Sequence, residues 1–190
     1  MRSIINESVN RISPAADRRA RLVSQLGLLV ALGLALQIIE GTLPPILPVP
    51  GAKLGLANLA TVIALVLLGP WEAMAVTILR CLLGGLLRGS FIGLTMSLSA
   101  GITATLVMDA LYVFGSPFIS LTGVSIAGAV THNATQLLVA MWLVGFPGLR
   151  HYLPWLLLLA LPTGFVIGIA SRRLALALGR GEGREAAQIV

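Results

Sequence analysis

Few side chains in this apolar sequence could do chemistry, and most of them are polar groups set inside hydrophobic runs. His132, Asn133 and Gln136 fall in one stretch, Ser125-Ile-Ala-Gly-Ala-Val-Thr-His-Asn-Ala-Thr-Gln136. On a helix His132 and Gln136 share a face at i, i+4, with Asn133 one step round. Arg80 stands in the middle of another apolar run and keeps its proton there. It therefore needs a carboxylate such as Asp109, backbone carbonyls or an anionic ligand. Glu40, Lys53, Asn58 and Arg88 lie near the ends of apolar runs, where surface ion pairing and a shared site mouth are both open to them. A polar group within a bilayer is costly unless it faces the protein interior and finds a partner. The candidate ligand-binding set is thus Glu40, Lys53, Asn58, Arg80, Arg88, His132, Asn133 and Gln136. Lys53, Arg88, Arg150 and His151 against Glu40 alone tilt the expected ligand toward an anionic or amphipathic molecule.

The missing chemistry narrows the function. No Gly-x-x-x-x-Gly-Lys-Ser/Thr is present to cradle ATP phosphates. Outside the tail, where Glu182 and Glu185 lie close, the acidic residues are scattered singly, so no pair within the apolar runs is placed to hold a magnesium diphosphate. His132 and His151 lack metal-ligand spacing, and one cysteine, Cys81, excludes an internal disulfide. No catalytic residue, metal or cofactor is expected. Any energy from ATP would have to come from partner proteins.

The elements that must position these side chains follow from composition. Of 190 residues 57% are hydrophobic and 11% charged, against about 25% charged in a soluble domain. The expected fold is an all-α integral membrane protein with six transmembrane helices. Spans are expected at about 22–40, 54–68, 71–87, 90–114, 122–146 and 152–174, between a basic tail at 1–21 and a second tail at 175–190. Leu22–Ile39 reads as a retained span, since it leads into prolines rather than a small-residue cleavage site. Of thirteen Lys and Arg, five lie at the start (Arg2, Arg11, Arg18, Arg19, Arg21) and four at the end (Arg172, Arg173, Arg180, Arg184). Both termini are therefore expected to be cytoplasmic, with the charge serving topology and lipid headgroups rather than nucleic acid. Trp142, Phe146, Tyr152 and Trp155 fit an outer interfacial belt better than a ligand cage.

Two further stretches carry expectations. Pro44, Pro45, Pro48 and Pro50, followed by Gly51, stop the flanking helices and stiffen an apolar loop. The loop reads as a lid over a site among the helices. Gly27, Ala31 and Ala35 recur every four residues and form one row along the first helix, a surface that lets another helix approach closely. That other helix is either an internal neighbour or a separate protein.

Several long pieces occur in order: PGAKLGLANLATVIAL (50–65), Arg80 with Gly84-Gly85, Arg88-Gly-Ser90, GVSIAGAVTHNATQLLVA (123–140) and HYLPWLLLLALPTG (151–164). Across roughly Leu22–Leu174 the chain resembles the Gx transporter, or heptaprenyl diphosphate synthase component I, family. That family is similar to the substrate-binding (S) components of energy-coupling factor (ECF) transporters. The resemblance implies a multi-pass protein of the bacterial cytoplasmic membrane that captures a small micronutrient-like ligand. By the same resemblance Leu43–Lys53 would be the lid. Gly27, Ala31 and Ala35 would dock a transmembrane coupling (T) subunit, which works with two ATPase subunits. The synthase label implies an alternative, a non-catalytic membrane subunit associated with prenyl diphosphate synthesis. A ligand-free membrane scaffold is the third reading.

Overall fold

Proline and glycine cut the apolar sequence into rods. A computed structural model describes residues 14–42, 55–115 and 118–177. Among them are six α-helices: α1 (Pro14–Thr42), α2 (Asn58–Leu67), α3 (Pro70–Arg88), α4 (Phe91–Phe114), α5 (Leu121–Val144) and α6 (Leu153–Ala177). A 3-10 segment, Pro147–Tyr152, leads into α6, and no described residue is in a strand. The breaks have local causes. Gly89 and Gly145 end α3 and α5 in the left-handed region, at φ 60° and 68°. Ser90 and Ser120 then cap α4 and α5, each hydroxyl accepting from the backbone N–H three residues on.

By length and composition, four helical stretches can cross a bilayer: Ala16–Thr42, Pro70–Arg88, Phe91–Phe114 and Pro147–Ala177. The two other expected spans differ for separate reasons. α5 has 24 residues, but Thr131, His132, Asn133, Thr135 and Gln136 lower its hydropathy, and three of these are buried inside the bundle. α2 has ten residues, about 15 Å of helix against a hydrocarbon core of about 30 Å. It starts later than Leu54 because Gly55, at φ 80°, and a turn at Leu56-Ala57 precede it. α1, conversely, starts at Pro14, ahead of Leu22, and its polar first turns carry an Arg21–Asp17 ion pair at i, i+4.

The shortest helix is the best enclosed. α2 packs on α1, α3 and α6 and also meets α4 and α5, so that Ala60, Thr61, Val62, Ala64 and Leu65 have almost no exposed surface. Around it, α3–α4, α4–α5 and α5–α6 pack as sequential neighbours, and α1 lies against α3 and α2. The outward faces are apolar: Leu28, Trp71, Leu86, Phe91, Trp142 and Val166 are all exposed. Such a surface is stable against lipid, and this is a membrane protein.

α5 and α6 approach most closely at Gly164 and Gly168. A Cβ on either would lie 2.7 Å from a backbone Cα of α5, that of Ile126 or Thr122. Since both neighbours are backbone, neither can move aside alone. Gly27 on α1 has open space around it. Gly168→Ala should therefore cost about 1–3 kcal/mol by overpacking, seen as a lower unfolding midpoint in mild detergent. Gly27→Ala should leave that midpoint unchanged or raise it. Equal effects of the two substitutions would contradict this packing.

Candidate functional site

α1 and α3 end, and α2 begins, at the same end of the bundle, and there the buried polar side chains converge. Gln37 and Glu40 come from α1, Asn58 from α2, Arg80 from α3, Ser97 from α4, and His132 and Gln136 from α5. With Gly55 and Ala57 they line one cavity. All seven side chains are buried. Its free space is about 10 Å³, room for a single water molecule. Arg80 precedes the end of α3 by two turns, so its Cα lies about 12 Å below that end.

Arg80 is held by one hydrogen bond to a side chain, Nη2 donating to Asn58 Oδ1 at 3.0 Å. It does not pair with Asp109, which is further along α4 toward the opposite end. Room for the guanidinium stem comes from Gly33 of α1, where a Cβ would stand 2.9 Å from Arg80 Cδ. Glu40 accepts from the Gly55 backbone N–H, which ties the end of α1 to the entrance of α2. Beneath Arg80, hydroxyls join α2, α3 and α4: Thr61 to Thr77 at 2.9 Å and Thr77 to Thr105 at 3.0 Å. Thr105 donates to the Gly101 carbonyl, so it accepts from Thr77, and Thr77 from Thr61. Cys81 is buried beside Ser97, donating to its carbonyl and accepting from its hydroxyl at 3.4 Å.

The eight residues singled out from sequence separate into three groups. Glu40, Asn58, Arg80, His132 and Gln136 meet in the cavity. Asn133 and Arg88 do not line it. The Asn133 amide donates to the Leu156 carbonyl at 3.1 Å and fastens α5 to α6. Arg88 Nη2 donates to the Gln37 carbonyl at 2.6 Å, a cation closing the C-terminal turn of α1. Lys53 and the lid residues Pro44, Pro45, Pro48, Pro50 and Gly51 lie outside the described residues. The row Gly27, Ala31 and Ala35 is exposed among the described residues. The residue that sequence reasoning missed is Gln37. Its signal was its position one helical turn before Glu40, on the same face. Ser97, noted only as a polar residue of its span, also joins the site.

A family model described as heptaprenyl diphosphate synthase component I matches residues 29–174. The chain belongs to that family. Every residue lining the cavity of this component I family member lies within the matched segment. No curated protein and no solved structure matches the chain.

Losing the Asn58 amide would leave the Arg80 guanidinium buried without its acceptor. Asn58→Leu should destabilise the protein by about 1.5–3 kcal/mol, as expected for a hydrogen bond to a charged group. Comparing unfolding midpoints of variant and parent in one detergent checks this. An unchanged midpoint would mean that Arg80 is compensated in some other way.

Proposed function

We propose that this protein is the substrate-binding membrane component of an ECF-type uptake transporter, six helices in the bacterial cytoplasmic membrane with both termini inside. The observation that carries the reading is the cavity. Buried polar side chains from five helices converge near one end of an apolar bundle, and the Gln37 amide among them makes no hydrogen bond to the described residues. A polar cavity with the Glu40–Gly55 bond among its lining residues suits capture of a small molecule entering from outside. Ligand contacts Glu40, Asn58, Arg80, His132 and Gln136, and the proline-rich segment from Leu43 to Lys53 closes over it. Ligand must bind the closed state better for closure to report occupancy.

The second support is α1. Gly27, Ala31 and Ala35 present a small-residue strip that is exposed among the described residues. In this proposal the strip docks a T subunit, and two ATPases supply the energy for reorientation and release. The family's description supports a second reading, a non-catalytic membrane subunit in heptaprenyl diphosphate synthesis. That reading expects a soluble prenyl synthase to co-purify and needs no ATPase.

Affinity purification from mild detergent separates the two. The transport reading expects a T subunit and ATPases with the parent protein, and loss of both when Ala31→Leu and Ala35→Leu are combined. Retention of the ATPases by the folded double variant would remove α1 as the docking face. A prenyl synthase in place of the ATPases would favour the second reading.

A further inference from the structure

Four polar atoms on Gln37, Asn58 and Arg80 have no hydrogen-bond partner among the described residues: Gln37 Nε2 and Oε1, Asn58 Nδ2 and Arg80 Nε. Their residues are 2%, 5% and 2% exposed respectively. Buried amide and guanidinium groups are rarely left so, because each unmet group forfeits the hydrogen bonds it made in water. One water molecule cannot serve four groups on three helices. The placement of Gln37 is also built in. Its amide lies across Gly84 of α3, where a Cβ would stand 2.5 Å from Nε2. The chain thus leaves out a side chain on α3 to admit an amide that bonds to none of the described residues.

The unmet groups have a definite pattern. Three are donors (Gln37 Nε2, Asn58 Nδ2, Arg80 Nε) and one is an acceptor (Gln37 Oε1). A matching molecule carries more acceptors than donors, with an acceptor and an N–H side by side for the Gln37 amide. The cavity already holds one cation, Arg80, and one carboxylate, Glu40. A ligand bearing a further full charge would meet a like charge there as well as an opposite one, with no net charge to neutralise it. We infer that the ligand, admitted only as the helices around this single-water space separate, is an uncharged molecule recognised through a cyclic imide or lactam edge, with its N–H donating to Gln37 and its carbonyl oxygens accepting from Gln37, Asn58 and Arg80. This names the ligand class for the uptake reading above and rests on it. It replaces the anionic tilt drawn from loop charges, since Arg88 is committed to the α1 terminus rather than to the cavity.

Three small molecules of one carbon skeleton test the inference: succinimide, N-methylsuccinimide, which lacks the N–H, and the dianion succinate. Binding to the purified full chain in mild detergent is read by ligand-observed NMR at millimolar concentration. Succinimide should bind, with N-methylsuccinimide and succinate each weaker by about tenfold or more, because a site built to hydrogen-bond an N–H rejects the analogue without it. Gln37→Leu should abolish succinimide binding yet keep or raise the melting temperature, since it replaces two unmet polar atoms with apolar ones. A lower melting temperature for Gln37→Leu would make Gln37 a structural residue and overturn the inference. So would preferred binding of succinate, equal binding of N-methylsuccinimide, or no binding of succinimide. None of these outcomes touches the uptake reading, which stands or falls on co-purification of the ATPases.

Discussion

A guanidinium buried in an apolar bundle sets the terms for the rest of this structure. Arg80 cannot shed its charge, so the helices around it must supply either hydrogen bonds or space for something that does. Asn58 supplies one bond, from the first residue of α2. That requirement accounts for the placing of α2, which begins at the depth of Arg80 and runs away from it into the most enclosed part of the bundle. It also accounts for Gly33, whose missing side chain lets the arginine stem pass between α1 and α3.

Two kinds of polar residue can be told apart by what they touch. Thr61, Thr77, Thr105 and Asn133 satisfy one another or a backbone carbonyl, and they bind helices together as apolar contacts would. Around the cavity the accounts of Gln37, Asn58 and Arg80 do not close among the described residues. Gln37 is the clearest case, an amide with neither atom engaged. In a bundle otherwise built from Ala, Val, Leu and Gly, a leucine at that position would be cheaper for folding. The same contrast separates α1 into two faces. Gly33, Gln37 and Glu40 turn inward on the site, while Gly27, Ala31 and Ala35 turn out toward whatever lies beside the protein.

Much of this was legible in the sequence, because a hydrophobic chain makes its few polar residues conspicuous. Arg80, His132 and Gln136 were recognisable as inward-facing from cost alone, whereas Glu40 and Asn58, near the ends of apolar runs, were equally open to surface ion pairing. Their meeting in one cavity needed the fold, since periodicity says which residues share a face but not which neighbour that face meets. Arg88 and Asn133 show the gap: both are polar and near the site in sequence, and each is taken up by a backbone carbonyl of an adjacent helix. Gln37 escaped notice because an uncharged amide hardly dents the apolarity of its run. Helix ends were legible where proline, glycine or serine marked them, as at Pro70, Gly89 and Ser120. They were not legible at Pro14, where a charged helical turn does not register as hydrophobic, or at Asn58, where Gly55 delays the helix.

The tight fit of α1 against α3 has a consequence for how a protein with the proposed uptake role could change its ligand. Gly33 sits on the stem of Arg80 and Gly84 sits under Gln37, so this wall tolerates little variation without forcing the two helices apart. The opposite wall, from α5, presents His132 and Gln136, and neither is wedged against a glycine of a neighbouring helix. Retuning of selectivity among related chains is therefore cheapest on α5. One wall would act as a fixed gauge and the other as its adjustable jaw.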